Sequence, residues 1–180
     1  GITDSIIKTI YVGIPTVIQF YTGWNLITLP VQNNFTASAL LSYIPGSSMI
    51  SAFDAQNQTY KSYAPGYPPS YDFTIKNAYG YFIYMTQDNT IYFTGEAIMS
   101  VSIPIYSGYN MIGWYQPYNT TASNLLTAIP GATFTSIYDP VNQVYKSYAP
   151  GYPPSYNFTV TKGMGVFVWT DQQSIWDGTD

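Results

Sequence analysis

Nine carboxylates and five lysines are, tyrosine aside, the only ionisable side chains in this 180-residue sequence, which has no histidine and no cysteine. Ser-His-Asp and Cys-His nucleophile arrangements are therefore excluded. Zinc clusters and histidine-held metals go with them. What remains is paired carboxylates, as in glycoside hydrolysis, or a lysine nucleophile. The acids are Asp4, Asp54, Asp72, Asp88, Glu96, Asp139, Asp171, Asp177 and Asp180. Only Asp54 and Asp139 stand at equivalent places in the two halves of the chain, and Asp72 is matched by Asn157. A duplicated two-acid site needs two matched pairs. The expectation is no catalytic residue, no cofactor and no metal site: a chain that is not an enzyme.

Asp54 and Asp139 each precede a polar stretch, Ala-Gln-Asn-Gln and Pro-Val-Asn-Gln. An oxygen-rich loop holding Ca²⁺ through Asp54 and Asn57 is one use of such residues, but the spacing matches no calcium loop. An Asx turn, with the carboxylate accepting nearby backbone N–H groups, is the reading we adopt. Tyrosines supply the second candidate. The segment Tyr60-Lys-Ser-Tyr-Ala-Pro-Gly-Tyr-Pro-Pro-Ser-Tyr71 recurs unchanged as Tyr145–Tyr156. Its prolines forbid a helix. Tyr63, Tyr67 and Tyr71, with Tyr148, Tyr152 and Tyr156, are candidates for contact with sugar rings or a protein partner, but the reading we adopt is an aromatic lid over a sheet edge. Four Asn-X-Thr sequons place glycosylation candidates at Asn34, Asn57, Asn119 and Asn157. Eleven asparagines in a chain one-fifth Ser plus Thr would give roughly two by chance.

The elements that carry these residues are duplicated. At an offset of 85 residues, Gly23–Ile75 aligns with Gly108–Val160 without a gap, and 30 of the 53 pairs are identical. Tyr79-Gly-Tyr-Phe-Ile-Tyr84 continues the match as Met164-Gly-Val-Phe-Val-Trp169, and Ile91-Tyr-Phe corresponds loosely to Ile175-Trp-Asp. Ile10-Tyr-Val-Gly13 echoes Ile91-Tyr-Phe-Thr-Gly95, as a strand closing a preceding unit or completing the first one would. Short β-branched and aromatic runs predict strands at Val17–Tyr21, Asn25–Leu29, Met49–Phe53, Gly80–Tyr84 and Thr90–Phe93. Thr36 and Thr121 are N-cap residues for one short helix per copy, each stopped by an Ile-Pro-Gly sequence. The fold expected is all-β: two tandem sandwich-like or small-barrel repeats of about 85 residues, spanning 1–95 and 96–180.

Composition narrows the partners. Hydrophobic residues make up 46 % and charged residues 8 %, so the chain has a core to bury and is not disordered. A net charge of −4 with scattered lysines argues against nucleic acid, which is bound by clustered Lys and Arg. No run of 18 apolar residues is present, so no transmembrane helix is expected. The chain opens on Gly1 rather than Met, as a processed protein or an excised segment does.

The order Gly23-Trp-Asn-Leu-Ile-Thr-Leu-Pro30, a short helix, Phe53-Asp54, the Tyr-Pro segment and Gly80-Tyr-Phe-Ile resembles the "GWNLISLP" β-repeats of archaeal and bacterial S-layer-like and other secreted surface proteins. Both copies carry the likeness, although Gly108-Tyr-Asn-Met-Ile-Gly-Trp-Tyr lacks the Leu-Pro ending. What the resemblance implies is an extracellular or cell-surface β module used in arrays, as an S-layer, filament or adhesin building block. Its partners would be other copies of itself or other surface proteins, with glycans as the alternative ligand. The resemblance carries over no catalytic residues.

Overall fold

The computed structural model describes residues 15–180. Strand outweighs helix, 43 % to 12 %, in several sheets of which none closes into a barrel. The fold is all-β and sandwich-like. The first copy runs β1 (Thr16–Phe20), β2 (Gly23–Ile27), α1 (Ala37–Tyr43), β3 (Ser47–Asp54), β4 (Thr59–Tyr63), a 3-10 turn at Pro69–Tyr71, β5 (Tyr81–Met85) and β6 (Asn89–Phe93). The second runs β7 (Ile103–Ile105), β8 (Gly108–Gly113), β9 (Thr120–Thr121), α2 (Ala122–Ala128), β10 (Ala132–Asp139), β11 (Val144–Tyr148), a 3-10 turn at Pro154–Tyr156, β12 (Thr159–Val160), β13 (Gly165–Thr170) and β14 (Ser174–Trp176).

Each copy builds the same antiparallel four-stranded sheet, β2-β5-β3-β4 and β8-β13-β10-β11, beside a two-stranded ribbon, β1–β6 and β7–β14. The helices form where their caps predict. Thr36 Oγ1 accepts from Ala39 N–H and Thr121 Oγ1 from Asn124 N–H, both at 3.3 Å. Leu40 and Leu41, with Leu125 and Leu126, turn inward. In the first copy they meet Ile50 and Ile83 from the sheet and Phe20 and Phe93 from the ribbon. Asn25 and Asn110, almost fully buried, fix the turn between ribbon and sheet. Asn25 Oδ1 accepts from Tyr21 N–H at 2.9 Å and Asn110 Oδ1 from Tyr106 N–H at 2.8 Å. Each amide also donates back to the carbonyl of that same residue. The polar atoms are buried only because they are paired.

One alignment read from the sequence is a residue out. Ile91 pairs with Ile18, and its counterpart in β14 is Trp176, which pairs with Ile103. Trp176 is 1 % exposed and Ile175 66 %. A one-residue slip swaps the faces of a strand, so Ile175 cannot take the core position. Strands β4 and β11 open the Tyr-Pro segment and pair with β3 and β10 across the two Asx turns. The echo at Ile10–Gly13 lies outside the described residues. Among those residues no helix is long and apolar enough to cross a membrane.

Candidate functional site

Side chains alternate across a strand, and here both faces of each four-stranded sheet are apolar. Toward the core point Ile27, Ile50, Ala52, Tyr81 and Ile83. Toward the other face point Trp24, Leu26, Met49, Ser51, Phe53, Tyr60, Ser62 and Phe82. Part of that second face is covered by the other copy. Leu26, Phe82, Met111 and Phe167 are buried together, with Trp24, Phe53 and Tyr138 packed around them. Phe53 meets Phe167 edge-on at 5.7 Å, and Phe82 meets Tyr138 at 5.4 Å. The positions 53/138 and 82/167 are repeat equivalents, so the two contacts exchange under a pseudo-twofold axis. An isologous dimer interface has this self-complementary pattern.

Hydrogen bonds follow the same exchange. Gln143 Oε1 accepts from Trp24 N–H at 2.8 Å while its Nε2 donates to Trp24 O at 3.0 Å. Gln58 does the same to Tyr109, at 2.9 Å in both directions. Both glutamines stand at positive φ, 52° and 54°, an uncommon conformation for a non-glycine residue. Each amide lies so close to Gly23 or Gly108 that a Cβ there would approach the Oε1 atom to 2.6 Å. Thr28 N–H donates to Gly163 O at 2.9 Å, and Gly113 N–H to Ala78 O at 2.8 Å. The Thr28 side chain occupies the space where a Cβ on Gly113 would stand. Thr28 and Gly113 are themselves equivalents, so at this point the symmetry must break.

The uncovered remainder of the aromatic faces forms two open grooves. One, of about 410 Å³, is lined by Trp24, Met49, Ser51, Tyr60, Ser62, Phe82, Tyr138 and Tyr145. The other, of about 440 Å³, is lined by Tyr109, Phe134, Ser136, Tyr145, Ser147, Phe167, Phe53 and Tyr60. Every position of the first is matched by its repeat equivalent in the second. Tyr60 and Tyr145 are common to both, and burial pushes each hydroxyl above the usual phenol range. Ser51 and Ser62 share a hydrogen bond at 2.7 Å on one floor, and Ser136 and Ser147 one at 2.8 Å on the other. No charged side chain is among the lining residues.

The tyrosines singled out from sequence lie elsewhere. A turn closed by Tyr67 N–H to Ala64 O at 3.0 Å leads into the 3-10 turn. Tyr63, Tyr67 and Tyr71 succeed one another edge-on at 6.3 and 5.7 Å, and Tyr148, Tyr152 and Tyr156 at 6.4 and 5.8 Å. Tyr63 and Tyr148 pack against the two cores, while the outer two of each set are exposed. Asp72 ties this loop to α1 through Ser38, accepting from its N–H at 3.0 Å and its hydroxyl at 2.6 Å. Asn157 repeats the tie to Ser123 at 2.9 Å. Its Nδ2, the atom a glycan would take, donates to Ser123 Oγ. Asn57 Nδ2 likewise donates to Asp54. Asn34 and Asn119 are exposed just ahead of the helices.

The matched acids hold turns. Asp54 accepts from Gln56 and Asn57 N–H, and Asp139 from Val141 and Asn142 N–H. Asn57 holds the Asp54 carboxyl below the usual range, and Lys146, at 2.8 Å, together with Asn142 lowers that of Asp139 further. Among the described residues no group of three or more metal-ligating side chains occurs.

Sequence reasoning missed Trp24, Tyr60, Tyr109 and Tyr145 as groove residues. The signal was the alternation in Thr59–Tyr63, which sends Tyr60 and Ser62 to one face and Tyr63 to the other. No family model matches the chain, and neither does any curated protein or solved structure.

Proposed function

We propose that this chain is a non-catalytic extracellular or cell-surface module, a building block of an S-layer, filament or adhesin. The observation that carries the reading is the reciprocal packing of the two copies. Gln58 and Gln143 exchange backbone bonds across the axis, and the faces around Phe82 and Phe167 bury one another. Such a fused pair has fixed geometry, which a repeating array requires. Asp54, Asp72 and Asp139 are engaged in turns and ties, which fits a non-catalytic role. Exposed Asn34 and Asn119 are the sequons best placed to carry glycans on such a surface.

Negative-stain electron microscopy of the natively purified protein tests this. Regular sheets, filaments or threads are the expected result, and dispersed particles under all native conditions would overturn it. The second reading is carbohydrate binding, favoured by the exposed aromatic rings. A glycan screen with Tyr67→Ala and Tyr152→Ala variants tests the loops: loss of binding at unchanged melting temperature supports them, and unchanged binding removes them.

A further inference from the structure

We infer that the two aromatic grooves flanking Tyr60 and Tyr145 form a bivalent site for a neutral oligosaccharide, one chain segment in each groove. The inference rests on the carbohydrate-binding reading but moves the site from the Tyr-Pro loops to the open sheet faces.

Four features converge on this ligand. The volumes, 410 and 440 Å³, lie within the roughly 300–1,000 Å³ of small-ligand sites. The walls are half-exposed rings, Tyr60 at 48 % and Tyr145 at 50 %. Trp24 lies edge-on to Tyr84 at 5.1 Å, and Tyr109 to Trp169 at 4.8 Å. These contacts brace the groove rings, so little side-chain entropy is lost when a ligand docks. Sugar rings present flat patches of C–H that pack on aromatic faces, and aromatic side chains offer such area with a polar handle. The floors supply the polar part. In each serine pair one hydroxyl donates to the other, leaving acceptor capacity and a second hydroxyl proton for the ligand. Finally, the lining holds no charge, so an anionic or cationic ligand would enter desolvated and unpaired, which is costly. A neutral polyol fits; an acidic polysaccharide, nucleic acid or lipid headgroup does not.

Duplication sets the valency. Each groove takes six lining residues from one copy and two from the other, so both depend on the same inter-copy packing. Two weak sites on one rigid body raise avidity toward a repeating polysaccharide when both engage at once.

The test is a titration of the intact protein with neutral gluco-, manno- and xylo-configured hexasaccharides and with polygalacturonate, followed by tryptophan fluorescence and calorimetry. Saturable binding of at least one neutral hexasaccharide at two sites per chain is expected, insensitive to salt, with no binding of polygalacturonate. Tyr60→Ala with Tyr145→Ala should weaken it at least ten-fold. Because those rings also pack on Phe53 and Phe82, Ser62→Leu with Ser147→Leu provides the second variant. These serines lie on the edge strands β4 and β11, and leucine there fills each groove while leaving every ring in place. Binding lost in both groove variants and kept in Tyr67→Ala with Tyr152→Ala supports the inference. Binding lost only in the loop variants overturns it while the carbohydrate reading stands. No neutral hexasaccharide binding at millimolar concentration overturns both. Concentration-dependent dimerisation that the groove variants abolish, without sugar binding, would give the face to a second copy and overturn the inference as well.

Discussion

Across the axis the two copies keep their hydrogen-bonding residues and swap apolar ones for others of similar size, Leu26 for Met111 and Phe53 for Tyr138, whereas parts of their cores change in size. Gln58 and Gln143, Gly23 and Gly108, Tyr60 and Tyr145, and the four groove-floor serines are identical between copies, and all lie at the axis or on the grooves around it. The cores behind the sheets have drifted. In the second copy Trp114 stacks on Trp176 at 6.3 Å, and their indole N–H groups donate to Tyr118 O and Thr179 O. The first copy fills the same places with Leu29 and Ile91, which have no polar atom to satisfy. Two tryptophans add volume that neighbours give up, since Phe20 and Met85 of the first core are Ile105 and Thr170 in the second; a core accepts new side chains if total volume is kept. At the interface, where two surfaces must fit at once, Leu26 and Phe53 give way only to Met111 and Tyr138, close to them in size. Thr28 and Gly113 show a departure that the axis itself demands, since two threonines would claim one space there.

The largest effect should come from the diverged core. Trp176→Ala removes half of the indole stack and should cost about 3–5 kcal/mol, a fall in Tm of roughly 2–4 °C per kcal/mol for a chain of this size. Ile91→Val at the equivalent place should cost about 0.5–1.5 kcal/mol. Thermal melts of the two variants check the contrast.

Making the copies alike at the axis is the next break. Gly113→Thr drives a side chain into Thr28 and should cost about 1–3 kcal/mol. Adding Thr28→Gly should restore most of the loss, since the pair then only exchanges places. A denaturant double-mutant cycle that finds the two changes additive would contradict this packing.

Smaller still is the loss of one exchanged amide. Gln58→Asn and Gln143→Asn keep a residue that tolerates positive φ but cannot reach across. Each should cost about 1 kcal/mol, Gln143→Asn slightly more, since Gln143 Oε1 also accepts from the Tyr138 hydroxyl at 3.2 Å and Phe53 has none to offer Gln58. A clearly larger cost at Gln58 would contradict this geometry.

Least is expected from the ion pair. Lys146 bridges Asp139, whereas its equivalent Lys61 lies 5.1 Å over the Phe73 ring. Both Asp54 and Asp139 have depressed carboxyl pKa values in the folded protein. Their contribution is therefore full above the ordinary aspartate value near 3.9 and is lost as pH falls through the folded values. Lys146→Met should bring the Asp139 titration, followed by carboxyl NMR, up toward that of Asp54. The change in stability at neutral pH should be under about 1 kcal/mol, as for exposed pairs.

Much of the fold was legible because local signals agreed. Thr36 and Thr121 announce the helices that form, the Asp-x-x-Asn turns form as Asx turns, and the β-branched runs become strands. The ends were harder. Ile175 and Trp176 are both apolar, so nothing local says which faces inward; the pairing of β14 with Ile103 decides it. The groove was obscured because both faces of the sheets are apolar. Trp24, Phe53 and Phe82 are of the same residue types as the core, and only the docking of one copy on the other sets which of that face is covered and which is open. Prolines drew attention to Tyr67 and Tyr152, and away from Tyr60 and Tyr145 at the start of the same segment.

The two copies form one body whose interface and grooves are built jointly. Differential scanning calorimetry of the intact chain tests it most directly. One transition, with calorimetric and van't Hoff enthalpies equal and shifted as a whole by Gly113→Thr, is the predicted result. Two separate transitions, one of them unmoved by that substitution, would contradict it.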